Sequence, residues 1–272
     1  MKEYKKPSDN IKKTLIEVIK IAGKELLEAF GSQIESAQKE SISSIVTQID
    51  IKTDALITGM LADKFPSHNI LSEEGGFNDK GSRYTWVIDP LDGTSNFASA
   101  IPWFGVLITL LDGHEAVLAG AYLPFSDSLY IAEKGKGATK NGSPFVMDQG
   151  KTLKNSLVAF AVDYTDNISE LNNSLAIYKR LIQQARNVRV TNSLIDFLFT
   201  AEGKFGACIN LYTRIWDIAG LSLIISEAGG EMRFADGSEL KFLLNKNAGD
   251  QNYPIITGGK SIIGEIMEKV LK

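Results

Sequence analysis

Apolar residues recur at Ile11, Leu15, Val18, Ile19, Ala22, Leu26 and Leu27, and Gly31 follows them. This spacing predicts an amphipathic helix, entered through the capping chemistry of Ser8, Asp9 and Asn10. A second helix is expected over residues 51–64, stopping at Phe65-Pro66, where proline biases the preceding residue away from helix. Tyr84 to Ile88 is β-branched and aromatic and runs into Pro90 and Gly93, so it reads as a strand that delivers its last residues to a loop. From Phe104 to Tyr122 two apolar runs flank Asp112-Gly113, a hairpin signal because both residues tolerate positive φ. A further strand, Leu129 to Ala132, precedes the Gly-rich stretch Lys134 to Gly142. The first half therefore reads as two helices followed by a mostly antiparallel sheet.

After Lys151 the pattern alternates. Strands are expected at 157–162, 188–191, 205–210 and 231–234, with helices at 169–184, 194–202 and 216–228. Such alternation argues for an α/β layer arrangement. The chain is accordingly divided into an α+β part, 1–150, and an α/β part, 151–272, that completes a shared site. No internal repeat or low-complexity tract is present.

At 272 residues and 44% hydrophobic, the chain is long enough for a sizeable core. Formal net charge is −4 and the Lys and Arg are scattered, so no basic face for a nucleic-acid polymer is visible; a small anionic substrate stays possible if metal ions supply positive charge. The single cysteine, Cys208, excludes an internal disulfide and fits a reducing compartment. With two histidines, His68 and His114, beside that thiol, a zinc site is not expected. The segment Met1 to Pro7 carries charges with no apolar core behind them, unlike a secretory signal, and no apolar run would span a bilayer. The expectation is a soluble cytoplasmic protein.

The candidate chemistry lies in Trp86-Val87-Ile88-Asp89-Pro90-Leu91-Asp92-Gly93-Thr94-Ser95-Asn96-Phe97. Asp89 and Asp92 would converge on one cation if the chain turns sharply between them, and Pro90 and Gly93 suit such a turn. Gly93, Thr94 and Ser95 would offer the backbone N–H groups and hydroxyls that suit a phosphate. An ordinary turn competes with this reading, since these residue types are common turn formers. An EF-hand loop starting at Asp89 fails, because Leu91, Gly93 and Ala100 occupy ligand positions. An aspartyl-phosphate motif needs acids two apart, and these are three apart. Further acids that would join the cluster are Asp50, Glu73, Glu74 and Asp217. Taken singly, Asp217 reads as a helix cap and the glutamates as surface acids.

These segments resemble the inositol monophosphatase family of Mg²⁺-dependent, lithium-sensitive phosphatases. The similarity lies in Trp86 through Phe97 and in Trp216-Asp217-Ile218-Ala219-Gly220 with Glu227-Ala228-Gly229-Gly230. Val46-Thr47 with Asp50, Ser72-Glu73-Glu74, and Gly135-Lys136-Gly137-Ala138 with Asn141-Gly142 support it. The resemblance implies a layered αβαβα sandwich, usually a homodimer, with two to three Mg²⁺ per active site. It places Glu73, Asp89 and the Leu91 carbonyl around one ion, and Asp89, Asp92 and Asp217 around a second. Glu73 and water would hold a weaker third. Thr94, oriented by Asp50, would help Glu73 activate the attacking water, and Gly93, Thr94 and Ser95 would hold the phosphate.

On the substrate side the sequence departs from the family. Asn192 and Leu194 follow Arg189 where relatives carry Gly and Ala. Asn210 stands seven residues before Asp217, where enzymes acting on inositol phosphate often have Glu. Arg214 would attract a second anion or act as a local cap. The implied activity is hydrolysis of a small phosphorylated metabolite, inositol monophosphate-like or a sugar phosphate, with inositol monophosphate itself not the preferred substrate. A nucleotide phosphatase acting on NADP or 3′-phosphoadenosine phosphate is the alternative, and a non-catalytic binding protein of the same fold a third reading.

Overall fold

The computed structural model describes residues 9–32, 36–38 and 45–272. The cap expected from Ser8 and the charged segment Met1 to Pro7 lie outside the described residues. Helix α1 (Asp9–Ala29) is followed by a short antiparallel pair, β1 (Ser36–Gln38) and β2 (Ile45–Thr47), and by α2 (Gln48–Lys64). α2 opens ahead of the expected Ile51 because Thr47 and Asp50 form a reciprocal cap: the Asp50 carboxylate accepts the Thr47 backbone N–H at 2.8 Å. Five of the apolar positions read on α1, Leu15, Val18, Ile19, Ala22 and Leu26, are buried, whereas Leu27 faces outward.

The first sheet contains β3 (Asn69–Ser72), β4 (Gly76–Asn78), β5 (Tyr84–Asp92), β6 (Gly105–Asp112), β7 (Glu115–Leu123), β8 (Ser128–Glu133), β9 (Ala138–Lys140) and β10 (Ser143–Phe145). Its order is β10-β9-β8-β7-β6-β5-β3-β4, antiparallel except for the β3/β5 pair. A one-turn helix, α3 (Thr94–Ala98), follows β5. Two details differ from expectation. The β6/β7 loop is Gly113-His114, with Asp112 paired to Glu115, since the turn needs a positive φ at its first residue and Gly113 supplies +61°. Leu71 and Ser72, for which no strand is expected, belong to β3, and the turn begins at Glu73.

The second sheet contains β11 (Leu157–Phe160), β12 (Asn187–Arg189), β13 (Ala207–Asn210), β14 (Glu231–Phe234) and β15 (Ile255–Gly258), in the order β12-β11-β13-β15-β14. β11 runs parallel to β12 and β13, and β15 antiparallel to its neighbours. Interleaved are α4 (Ile168–Gln184), α5 (Ile195–Ala201), α6 (Ile215–Glu227) and α7 (Lys260–Lys269).

Strand periodicity sets the layers. Trp86 and Ile88 of β5 and Ile108 and Leu110 of β6 bury against α1 and α2, while Val87, Leu107 and Leu111 face the other way, toward α5 and α6. Cys208 and Ala159 of the second sheet meet the same two helices from beneath. Val158, Phe160, Ala207 and Ile209 bury against α4 and α7. The stack is α1/α2, first sheet, α5/α6, second sheet, α4/α7, the αβαβα sandwich that the resemblance implies. α6 lies between two sheets and is apolar nearly all round, as an element buried on every side must be.

Candidate active site

Residues three apart on a regular strand point to opposite faces. Asp89 pairs with Leu107 and Asp92 with Gly105, so β5 carries one residue more than β6 between these pairs. This bulge turns both aspartates toward one side, and it accommodates Pro90, which has no N–H for the ladder. The Leu91 N–H donates to Asp89 Oδ1 at 3.1 Å and so fixes the turn.

Gly93 then adopts φ +87°, and a Cβ there would lie 2.5 Å from the Trp103 carbonyl oxygen, which only glycine avoids. α3 starts at the next residue and is pinned by Phe97, whose ring meets Phe104 edge-on at 4.8 Å. Thr94 is thereby placed with its hydroxyl 2.9 Å from Asp50 Oδ1 and 3.0 Å from the Leu91 carbonyl. Asp50 is itself buried, and its other oxygen accepts both the backbone N–H and the hydroxyl of Thr47.

Glu73 arrives from the turn after β3, its N–H donating to the Ile88 carbonyl at 3.2 Å. Asp217 sits in the first turn of α6 and accepts the Arg214 N–H at 2.7 Å, so it serves as a helix cap and still lines the site. Asp92 accepts the Leu194 N–H at 2.6 Å. Glu73, Asp89, Leu91, Asp92, Gly93, Thr94, Asn210 and Asp217 line one cavity of about 170 Å³. Burial, then the charges of Glu73, Asp92 and Asp217, pushes the Asp89 carboxyl well above the usual carboxylate range. Burial and the Asp92 charge raise Asp217 likewise, and Asp92 is pushed up to about 7. Carboxylates crowded in this way need positive charge to remain ionised together.

The donor set is all oxygen, from carboxylates and the Leu91 carbonyl, and suits a hard cation. Among the described residues no three acidic, histidine or cysteine side chains close into a ready-made metal cage. Mg²⁺ does not require one, because it binds through one or two carboxylates and retains several waters. The residues present fit that ion.

Four predicted residues do not line this cavity: Asp50, which stands behind Thr94, Glu74, Ser95 and Arg214. Ser95 is exposed on α3 and does not line it. Arg214 lines an adjoining cavity of about 400 Å³ with Trp216, Lys246 and Glu74, and its guanidinium donates to the Asp250 carbonyl at 2.5 Å. The Glu227 motif stands at the far end of α6, about 15 Å from Asp217 at 1.5 Å per residue. Its carboxylate accepts the N–H groups of Gly135 and Gly137 at 2.8 and 2.7 Å. Two of the motifs that carry the resemblance thus hold each other, away from the cavity. His68 stacks on Phe65, His114 is exposed beside the Phe242 carbonyl, and Cys208 is buried. No helix among the described residues is long and apolar enough to cross a membrane.

Sequence reasoning missed Asp163, Ser193 and Phe197, which complete the lining together with Asn192, noted in the sequence as a departure from the family. A signal for Asp163 was available: it directly follows the strand read at 157–162, and α/β sheets carry ligands beyond the carboxyl ends of their parallel strands. Asn192, in place of the usual glycine, adopts φ +51°, a conformation that asparagine tolerates.

The inositol monophosphatase family model matches residues 8–265. A fructose-1,6-bisphosphatase/inositol-1-monophosphatase of Aquifex aeolicus is 32% identical over 228 residues, covering 82% of this chain and 86% of that protein. A protein of Pseudomonas aeruginosa named Nus factor SuhB is 31% identical over 208 residues, covering 75% of this chain and 77% of that protein. The solved structure of an IMPase from Thermotoga maritima shares 25% identity, with a TM-score of 0.83 and 97% of each chain covered. In its fold and across nearly its whole length, the chain belongs to the inositol monophosphatase family.

Proposed function

We propose that the protein is a Mg²⁺-dependent phosphomonoesterase that hydrolyses a small phosphorylated metabolite. The observation that carries this reading is the convergence of Glu73, Asp89, Asp92 and Asp217 on one cavity beside the Thr94–Asp50 hydrogen bond. Glu73, Asp89, Asp92, Asp217 and the Leu91 carbonyl would hold two to three Mg²⁺, which when bound neutralise phosphate charge and acidify a coordinated water.

The remaining work falls to the chain. The Thr94 hydroxyl, donating toward Asp50, keeps lone pairs to accept one hydrogen bond from the attacking water, while Glu73 accepts the other and takes up the single proton that the water loses on attack. The Thr47 cap holds Asp50 as the acceptor behind Thr94. The N–H groups of Gly93 and Thr94 open a tight turn, where they suit phosphate oxygens. Phosphoryl transfer needs positioning and charge neutralisation more than a covalent nucleophile, which agrees with a cavity without cysteine or histidine.

The Aquifex relative is named for phosphatase activity, which supports the reading. The Pseudomonas relative is named a Nus factor, and this favours a second reading in which the fold serves a role other than turnover. Phosphate release from a panel of inositol, sugar, histidinol and nucleotide phosphates, with Mg²⁺ and again with excess chelator, separates the two. Release that depends on Mg²⁺ is expected. No release from folded, Mg²⁺-supplemented protein would overturn the phosphatase reading in favour of the second.

A further inference from the structure

The cavity that holds the metal-site acids is also lined by a carboxylate that the hydrolytic reading does not use. Asp163 follows β11, Asn210 ends β13, and the parallel pairing of these strands brings both residues to the same rim. The charges of Glu73, Asp89, Asp92 and Asp217 act on one another, whereas what moves Asp163 is burial, which raises its carboxyl, and a hydrogen bond from Asn192. Asp163 comes from the second sheet, whereas Glu73, Asp89 and Asp92 come from the first, so it belongs to a separate part of the lining.

Asp163 is also held in place. Asn192 Nδ2 donates to Asp163 Oδ1 at 3.1 Å and to the Val162 carbonyl at 2.8 Å, while its Oδ1 accepts the Val162 N–H at 3.3 Å. The left-handed backbone of Asn192 thus clamps the end of β11. One donated hydrogen bond leaves an ionised carboxylate most of its four or so acceptor sites. Among the described residues no lysine or arginine lines this cavity. Asp163 and Asn210 thus offer acceptors to whatever enters beside the phosphate, and a second phosphate there would meet a like charge.

We propose that Asp163 selects the alcohol part of the substrate. It accepts hydrogen bonds from hydroxyl or ammonium groups of a polyol or amino-alcohol phosphate and disfavours esters that carry a second phosphate on that side. This rests on the phosphatase reading and narrows its substrate class.

The test compares kcat/KM for four esters: inositol 1-phosphate and histidinol phosphate, which bear donors, fructose 1,6-bisphosphate, which bears a second phosphate, and phenyl phosphate, which bears neither. Wild type, Asp163→Asn and Asp163→Ala are assayed, with melting temperatures to establish folding. For the donor-bearing ester that wild type prefers, Asp163→Ala is expected to lower kcat/KM by about 10- to 100-fold, with Asp163→Asn in between. Phenyl phosphate should stay within about threefold, and the bisphosphate should be unchanged or improved. Equal losses on all esters, no loss on the donor-bearing ones, or a wild-type preference for the bisphosphate would each overturn the assignment. If wild type cleaves none of the four, the wider panel above decides the phosphatase reading by itself. Calorimetric binding of free myo-inositol and histidinol then decides the Asp163 proposal: weaker binding by the variants supports it, and equal or absent binding overturns it.

Discussion

Burial, followed by the charges of Glu73 and Asp196, holds the Asp92 carboxyl at about 7 against the opposing hydrogen bond from Leu194. An unfolded aspartate titrates near 3.8, so the fold favours the neutral form. The stability this contributes is complete below about pH 4 and is withdrawn as the pH rises through about 7. With chelator present, the melting temperature of wild type should therefore fall from pH 5 to 8, and that of Asp92→Asn should fall less. Mg²⁺ should raise the melting temperature of wild type at pH 8 more than that of the variant, and the variant should lose turnover by about 100-fold or more. Equal pH slopes in the two proteins would contradict the assignment of strain to this carboxyl. Asp89, Asp92 and Thr94 were legible in the sequence because they share one unbroken segment. Asp163 was not, since a single acid after a strand has no local partner, and its significance comes from Asn192, 29 residues away.

At the scale of elements, local signals and long-range pairing part company. α1, α4 and α6 were read close to their observed limits because periodicity within one segment defines them. β5 was ended at Ile88 on account of Pro90, yet it continues to Asp92, because the bulge against β6 removes the need for a proline N–H. β15 and α7 are not among the expected elements. The four residues Ile255–Gly258 become a strand only through pairing on both sides, with β13 and β14. α6 offers a test of the close packing between layers. A Cβ on Gly220 would lie 2.4 Å from the Thr109 hydroxyl on β6. Gly220→Ala should cost about 1–3 kcal/mol by urea denaturation. In a Thr109→Ala background the same change should instead stabilise, since alanine exceeds glycine in helix propensity by about 1 kcal/mol. Destabilisation of equal size in both backgrounds would show that the hydroxyl is not the obstacle.

In the molecule as a whole, the site lies on the seam between the two sheets. Glu73, Asp89 and Asp92 come from the first, Asp163 and Asn210 from the second, and Asp217 from the helix between them. The division proposed at residue 150 falls between the sheets, but the core around α6 draws on both. The layering was legible because strands and helices alternate after Lys151 and because the resemblance implies an αβαβα sandwich. Of the substrate rim only Asn210 was legible, because Asp163 comes beside it only through the pairing of β11 with β13. α6 is fastened at its far end too, where Glu227 receives the N–H groups of Gly135 and Gly137. Those two amides belong to a surface turn, where protons ordinarily trade with solvent almost at once. Here they should exchange with deuterium on the slow clock of the interior, released only when α6 itself loosens. Glu227→Ala should return them to the fast class while the central strands stay protected, so two glycines at the surface would report, in a mass spectrum, on the helix that carries Asp217.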